Sequence, residues 1–518
     1  MPIWGVDEAA RLRFTRRSQR QERTTFPCPE VLVRRLTILA VSACVAVAMG
    51  VTTEAASAAP SGGPPGQRVL PPGAIQKIMV IDLENEGVNQ TFLQSGTYIH
   101  DSLLPHGELL QNYYATGHVS LDNYIAQVSG QSSNFSTNSD CIGSGGNGAY
   151  TDVLPGTSTS YPGQVIGQGC VYPSSVQTIG DQLDAASHGK GKHLTWRAYA
   201  EDMGNDPARD GGTADPLGGT DCAHPATSSS ADLTNNAQGP NATGSQVHST
   251  LVDQFATRHN PFVYFHSVTD NQANCNSHVV PLGSVTVGTN GSPDTFSGHL
   301  AQDLSAPATT PDFSFVSPNL CNDGHDATCA GTNTEGTTTG GLAGANIWLK
   351  HWMPLIMNSP AYRSGHMLVV LTADEGNIID STAGDNEQAG PNNPNPGYSP
   401  VLNFPAIPIG GGVTLTYYQY LFGLAHLPLP AGLTPSNPAG PPAGTMPGGG
   451  QIGALLLNPR YVHDGTIDTT GSYNHYSALR TYEDLLGITS GGADNKGHLG
   501  FAATATAFGS DVFVRCDG

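Results

Sequence analysis

Residues 117–131, GHVSLDNYIAQVSGQ, place His118, Ser120, Asp122 and Asn123 within six positions and then run into an apolar spacing that predicts a helix from about Asn123 to Val128. Two roles are open to Ser120. Its hydroxyl can cap the helix by accepting a backbone N–H. It can also act as a nucleophile at a helix start, where N–H groups and the helix dipole stabilise an anion. Four apolar stretches elsewhere stop at residues with ligand or acid–base chemistry. IQKIMVIDLEN (75–85) ends at Glu84–Asn85, and PFVYFHSV (261–268) reaches His266. DFSFVSPN (312–319) ends at Asn319 with His325–Asp326 just beyond, and HMLVVLTADEG (366–376) carries Asp374–Glu375.

Glu84, Asn85 and Asp374 are hard oxygen donors, suited to calcium, magnesium, manganese or an iron ion. A metal there would polarise a phosphoryl oxygen and acidify a coordinating serine hydroxyl. Nearby histidines can cradle a phosphate or protonate a leaving group. The charge balance points the same way. The chain has 42 acidic residues against 21 Lys and Arg, net −21, which disfavours nucleic acid and anionic lipid surfaces as partners. A phosphate site on so acidic a protein needs local positive charge, and a bound metal supplies it.

The elements that must position these residues follow from the same stretches. Residues 75–85, 261–268, 312–319 and 366–376 read as buried strands, and 193–202 as a strand running into a loop. Helices are expected at DQLDAA (181–186), 250–259 and 345–359. Strands alternating with helices predict an α/β fold, a mostly parallel sheet covered on both faces. Ligands in such sheets bind at the carboxyl ends of the strands, so four polar endings there would meet. Segments 205–248, 283–298, 327–341, 380–400 and 427–450 are Gly-, Ser-, Asn- and Pro-rich and read as surface loops.

The sequence divides into an export segment (1–59), a Pro/Gly linker (60–73) and one elaborated domain (74–518). Two arginines, an apolar run and Ala56-Ser57-Ala58 give the export segment the form of a secretory signal, implying a secreted protein with no stable membrane anchor. Seven cysteines follow it and read as disulfides; sequential pairing gives 141–170, 222–275 and 321–329, with Cys516 left over.

The strand ending in Glu-Asn, followed by LLQNYYATGHVSLDNYIAQVSGQ, resembles the bacterial phosphoesterase family that contains secreted acid phosphatases and phospholipases C. Further matches occur in order at TWRAYAEDM (195–203), FVYFHSV…NSHVVPL (262–282), PNLCNDGHD (318–326), VVLTADEG (369–376) and YNHYSALRTYEDLLGI (473–488). The resemblance implies a three-layer α/β/α sandwich like that of alkaline phosphatases. It implies a divalent or iron-type metal on Glu84, Asn85 and Asp374, with Glu375 as a further ligand or its neighbour. Ser120 falls at the nucleophile, and His325 and His278 become catalytic candidates. Asn123, His118, His475 and Asp326 become substrate-binding ones. The chain departs from the family where His-Pro-Ser-x-Pro-Asn is here His-Val-Ser-Leu-Asp-Asn, so that Asp122 brings a negative charge beside the site. The implied activity is a secreted, metal-dependent acid phosphatase working through a phosphoserine on a phosphorylated small molecule or phosphoinositide. The alternatives are a phospholipase C-type phosphodiesterase and a non-catalytic exported binding protein.

Overall fold

The computed structural model describes residues 70–514, apart from 72, 118, 135, 138–139, 142–149, 158–161, 189–191, 227–252, 326–328, 330–331, 377–406, 411–412 and 416–448. The export segment, nearly all of the linker, His118, Asp326 and Cys516 therefore lie outside the described residues, as do parts of four of the five expected surface loops.

Eight strands form the central sheet: β1 (Lys77–Leu83), β2 (Gly107–Leu110), β3 (Trp196–Ala200), β4 (Val279–Pro281), β5 (Phe313–Ser317), β6 (Met367–Ala373), β7 (Ala454–Leu457) and β8 (Thr466–Asp468). Their order across the sheet is β4-β3-β5-β1-β6-β7-β2-β8. β7 is antiparallel to both of its neighbours, β6 and β2, and every other adjacent pair is parallel. All seven residues of β1 and all seven of β6 are buried. Successive side chains point to opposite faces, so burial of every position means that both faces are covered, as a parallel α/β sheet requires. Lys77–Leu83 pairs in register with Met367–Ala373, and this central ladder aligns the two strand ends that matter most.

The helices include α1 (Ser120–Ser129), α2 (Ile179–Ala185), α3 (Gly341–Asn358) and α4 (His475–Leu486). All ten residues of α1 are buried, and it packs against α4. α1 stops at Gly130, whose φ of 67° is left-handed and whose amide bonds the Ala126 carbonyl. A side chain there would meet the Leu499 carbonyl oxygen at 2.4 Å, so the position requires glycine. Among the described residues no helix is long and apolar enough to cross a membrane. The expected disulfides 141–170, 222–275 and 321–329 are all present.

Two expected elements differ. PFVYFHSV is not a strand: Pro261–Tyr264 is a 3₁₀ turn, Phe265 bridges Tyr172, and His266–Thr269 is one helical turn. Pro261 suits the first position of a helical turn. Phe262, Tyr264 and Phe265 are buried against Trp196, Tyr150 and Tyr172 rather than within a ladder. A short buried apolar run looks the same in either conformation. The sheet instead takes Val279–Pro281 as its edge. The helix expected over 250–259 is, in its described part, an irregular segment ending in the 3₁₀ turn Thr257–His259.

Candidate active site

Leu83 of β1 lies opposite Ala373 of β6, so the residues that follow, Glu84 and Asp374, leave the sheet side by side. Backbone bonds fix them: the Asp374 amide donates to the Leu83 carbonyl (2.9 Å) and the Glu84 amide to the Asp323 carbonyl (2.8 Å). Asn85, at φ 56°, turns its amide onto Asp374 Oδ1 (2.9 Å), and the Glu375 amide bonds the same oxygen (2.6 Å). Asp374 Oδ1 thus takes two N–H groups, while Oδ2 is buried with no hydrogen-bond partner. Glu84, Asp374 and Glu375 are all buried and bring carboxylate oxygens within 4.8 Å of one another.

Three buried carboxylates at this spacing strain one another electrostatically. Burial, reinforced by the charges of Glu84, Glu375 and Asp82, pushes the Asp374 carboxyl well above its ordinary value. Burial also acts on Glu84, but the charge and hydrogen bond of His259, with His325 and Arg258 nearby, hold it well below the carboxylate range. An orphaned buried oxygen amid carboxylates fits a divalent or iron-type cation, with Glu84, Asp374 and Glu375 as its ligands; the Asn85 carboxamide stands beside them with its Nδ2 on Glu84 Oε1.

Ser120 is the first residue of α1, and the residue before it, Val119, takes φ 75° and ψ 134°. For a β-branched side chain that conformation costs about 1–3 kcal/mol and persists only where surroundings impose it. The Val119 amide donates to Glu375 Oε2 (3.2 Å), which ties the kink to the carboxylate cluster. Ser120 Oγ donates to Glu84 Oε1, the oxygen that also receives Asn85 Nδ2 (2.6 Å). The hydroxyl therefore faces the cluster and does not cap its helix.

The histidines divide. His259 Nε2 contacts Glu84 Oε2 at 2.9 Å, its Nδ1 lies 3.8 Å from Asp323 Oδ2, and its ring stacks on Tyr124 with centroids 5.1 Å apart. His325 Nδ1 lies 3.9 Å from Glu84 Oε1, with its side chain 42% exposed to solvent. His475 is wholly buried, with Nε2 2.6 Å from the Asp374 carbonyl and Nδ1 3.1 Å from the Tyr113 hydroxyl. Burial lowers its pKa to about 4, so it stays neutral and holds the Asp374 main chain in place.

The phosphoesterase family model matches residues 82–489, a span that runs from the end of β1 to just past α4 and holds every residue of this cluster. The chain belongs to the phosphoesterase family. A phosphate-repressible acid phosphatase of Penicillium chrysogenum is 27% identical to this phosphoesterase over 304 residues, 58% of this chain and 48% of that protein. The chain thus aligns with about half the length of that relative. Slighter likenesses of shape are found to the wild-type alkaline phosphatase PafA (12% identity, 86% of this chain and all of that one, TM-score 0.31) and to an inactive variant of murine ectonucleotide pyrophosphatase/phosphodiesterase 5 in complex with AMP (9% identity, 83% of this chain and all of that one, TM-score 0.33).

Other expected site residues of this phosphoesterase lie elsewhere. His278 is not at the site: it immediately precedes β4, at the amino ends of the strands, where it stacks on Trp196 at 4.5 Å and sits 2.8 Å from the Asn274 carbonyl. Asn123 turns inward: its Oδ1 accepts from the amides of Thr116 and Gly117 (2.9 Å each), and its Nδ2 donates to the Gly117 carbonyl (2.9 Å). It braces the turn that delivers Ser120. Asp122 is buried, accepts from Ser133 Oγ (2.5 Å) and packs its carboxyl group against Gly117. The residue missed from sequence is His259, which sits in an irregular segment rather than after a strand; its one signal is the proline two residues on, which ends any helix there.

Proposed function

We propose that this chain is a metal-dependent phosphomonoesterase of the acid phosphatase type, with Ser120 as its nucleophile. The observation that carries the reading is the Ser120 hydroxyl bonded to Glu84 within the same cluster as the orphaned Asp374 oxygen. A cation held by Glu84, Asp374 and Glu375, with Asn85 beside them, would polarise the phosphoryl oxygens and lower the pKa of the serine hydroxyl. The chain's own groups do the rest. Val119 and Asn123 fix the turn that aims Oγ, and Glu84 receives its hydrogen bond. Oγ attacks phosphorus and the alcohol leaves; water then cleaves the phosphoserine to release phosphate. His325, half-exposed beside Glu84, is placed to give the leaving alkoxide its proton. His259 balances Glu84 from the buried side, and His475 holds the main chain of Asp374.

The likeness to the Penicillium enzyme supports a monoester substrate, a phosphorylated small molecule or phosphoinositide, and the signal-like residues 1–59 with three disulfides support export. A phospholipase C reading would call for an apolar mouth. Among the described residues the exposed large apolar side chains are Leu217, beside edge strand β4, and Ile467, on β8 at the opposite edge. The test compares p-nitrophenyl phosphate with bis-p-nitrophenyl phosphate, using wild type and Ser120→Ala before and after chelation. Monoester turnover lost in the variant and on chelation is expected. Preferential diester turnover, or full activity in Ser120→Ala, would refute the reading.

A further inference from the structure

A second group of metal-type ligands lies away from this site, on the outer edge of the sheet. A small hairpin pairs Thr213–Ala214 with Thr220–Asp221; Asp215 follows its first strand and Asp221 closes its second. Opposite them His299 opens a single helical turn, His299–Asp303. One donor atom from each of Asp215, Asp221 and His299 lies within 4.8 Å of the other two. Asp215 Oδ2 sits 2.8 Å from His299 Nε2, and Asp215 Oδ1 accepts the Leu217 amide (2.6 Å). The Asp215 side chain is 2% exposed and that of His299 13%.

The telling atom is Asp221 Oδ1. Asp221 is 8% exposed; among the described residues no N–H or hydroxyl group reaches its buried Oδ1, and the neighbour its carboxyl group meets is the Asp215 carboxyl, with which it forms one corner of the cluster. A buried carboxylate oxygen left without a donor is costly, and a second carboxylate beside it adds repulsion. Among the described residues the guanidinium at hand, that of Arg197, is committed to Asp303 Oδ2 (2.6 Å) and the Ser277 carbonyl (3.2 Å). It reaches His299 Nδ1 only at 3.4 Å; moving the imidazole proton to Nδ1 to free Nε2 for a cation gives up that long contact and the 2.8 Å bond to Asp215 Oδ2, which the cation would replace by binding both atoms. Two carboxylates and an imidazole within one coordination radius suit a borderline cation such as zinc or manganese better than calcium or magnesium.

We propose that Asp215, Asp221 and His299 form a second divalent-cation site, of the zinc or manganese class, that clamps the hairpin over edge strand β4 of the sheet. The hairpin leads directly into that edge: the Cys222 amide bonds the Val279 carbonyl of β4 (2.8 Å), and the Leu300 amide, one residue past His299, bonds the Leu282 carbonyl (3.1 Å). β4 lies three strands from β1, about 14 Å across the ladder, too far to form a paired-metal centre with the Glu84 cluster. The clamp is therefore structural, and it does not rest on the phosphatase reading.

The test counts zinc on the purified full chain. Protein stripped with chelator and dialysed against Zn²⁺ is measured by elemental mass spectrometry in an Asp374→Asn background, which disables the first site. About one ion per chain is expected there. Adding His299→Gln or Asp221→Asn should weaken its binding at least about tenfold and abolish the rise in Tm that zinc gives the background protein. Zinc binding unchanged by both substitutions, or absent from the Asp374→Asn background, overturns the proposal. Should the substituted chains fail to fold, a wild-type crystal soaked in Zn²⁺ decides it. An anomalous peak between the three side chains supports the clamp, and its absence refutes it. Failure of the phosphatase reading, seen as full turnover by Ser120→Ala, would leave this zinc count untouched.

Discussion

Replacing Asp374 by Asn should make the metal-free protein more stable while destroying the site. The Asn side chain keeps an oxygen where Oδ1 accepts the Asn85 and Glu375 amides. It removes the charge that Glu84 and Glu375 oppose from within 4.8 Å. At that separation each pair of unit charges repels by about 3.5 kcal/mol at an effective dielectric of about 20. The metal-free chain limits the cost by protonating Asp374, so the measurable gain at neutral pH is about 1–3 kcal/mol. The sign follows from linkage. Burial and like charges raise the folded pKa of Asp374 above its unfolded value. Stability from its protonated form is therefore full below about pH 4 and declines as pH rises through the folded value. Glu84, whose folded pKa is depressed, contributes in the opposite sense, but only as pH falls below its unfolded value of about 4.3. Thermal melts in chelator from pH 4 to 8 should show Asp374→Asn overtaking wild type, by roughly 2–5 °C at the upper end. Saturating Mn²⁺ should reverse the order, because only wild type gains binding energy at the Glu84 cluster, about 2.7 kcal/mol at a hundred times Kd, while the Asp215–Asp221–His299 group adds equally to both proteins. A pH-independent gap, or a variant less stable than wild type in chelator at pH 7, would refute the electrostatic reasoning.

Further outcomes follow from the same geometry. Ser120→Ala should lower kcat for p-nitrophenyl phosphate by at least about 10³-fold with Tm little changed, because the hydroxyl is the attacking atom and fills little volume. His259→Gln should cost about 3–5 kcal/mol in chemical denaturation, since it removes the nearest cationic partner of the buried Glu84 and unstacks Tyr124. His278→Ala should leave kcat within about twofold of wild type, losing about 0.5–1.5 kcal/mol of stacking on Trp196; a hundredfold fall in kcat would return it to the site.

The carboxylates were readable in the sequence because β1 and β6 are buried on both faces. Each is a continuous apolar run with an abrupt end, and in a parallel sheet that end is where ligands gather. Ser120 was readable as a helix start but not as a hydroxyl facing Glu84, since the positive φ of Val119 leaves no mark on the residue type. His278 and His259 show the limit more sharply. Both stand near apolar, aromatic-rich stretches, and the difference lies in which stretch joins the ladder. PFVYF satisfies its burial through ring contacts, whereas the three-residue VVP, too short to signal itself, forms the edge. The tertiary partners decide, and they are hundreds of positions away in some cases, as Asn85 and Asp374 are.

The in-register ladder between Lys77–Leu83 and Met367–Ala373 also sets a timescale. Glu84 and Asp374 stand one residue beyond the two central strands, whose amides in a sheet of this kind exchange with solvent only when the whole domain opens. An ion held there cannot escape by local fraying of its ligands. Its way out is on the solvent side, past the exposed His325, so the rate at which a chelator strips it should track the size and charge of the chelator and be indifferent to mild denaturant.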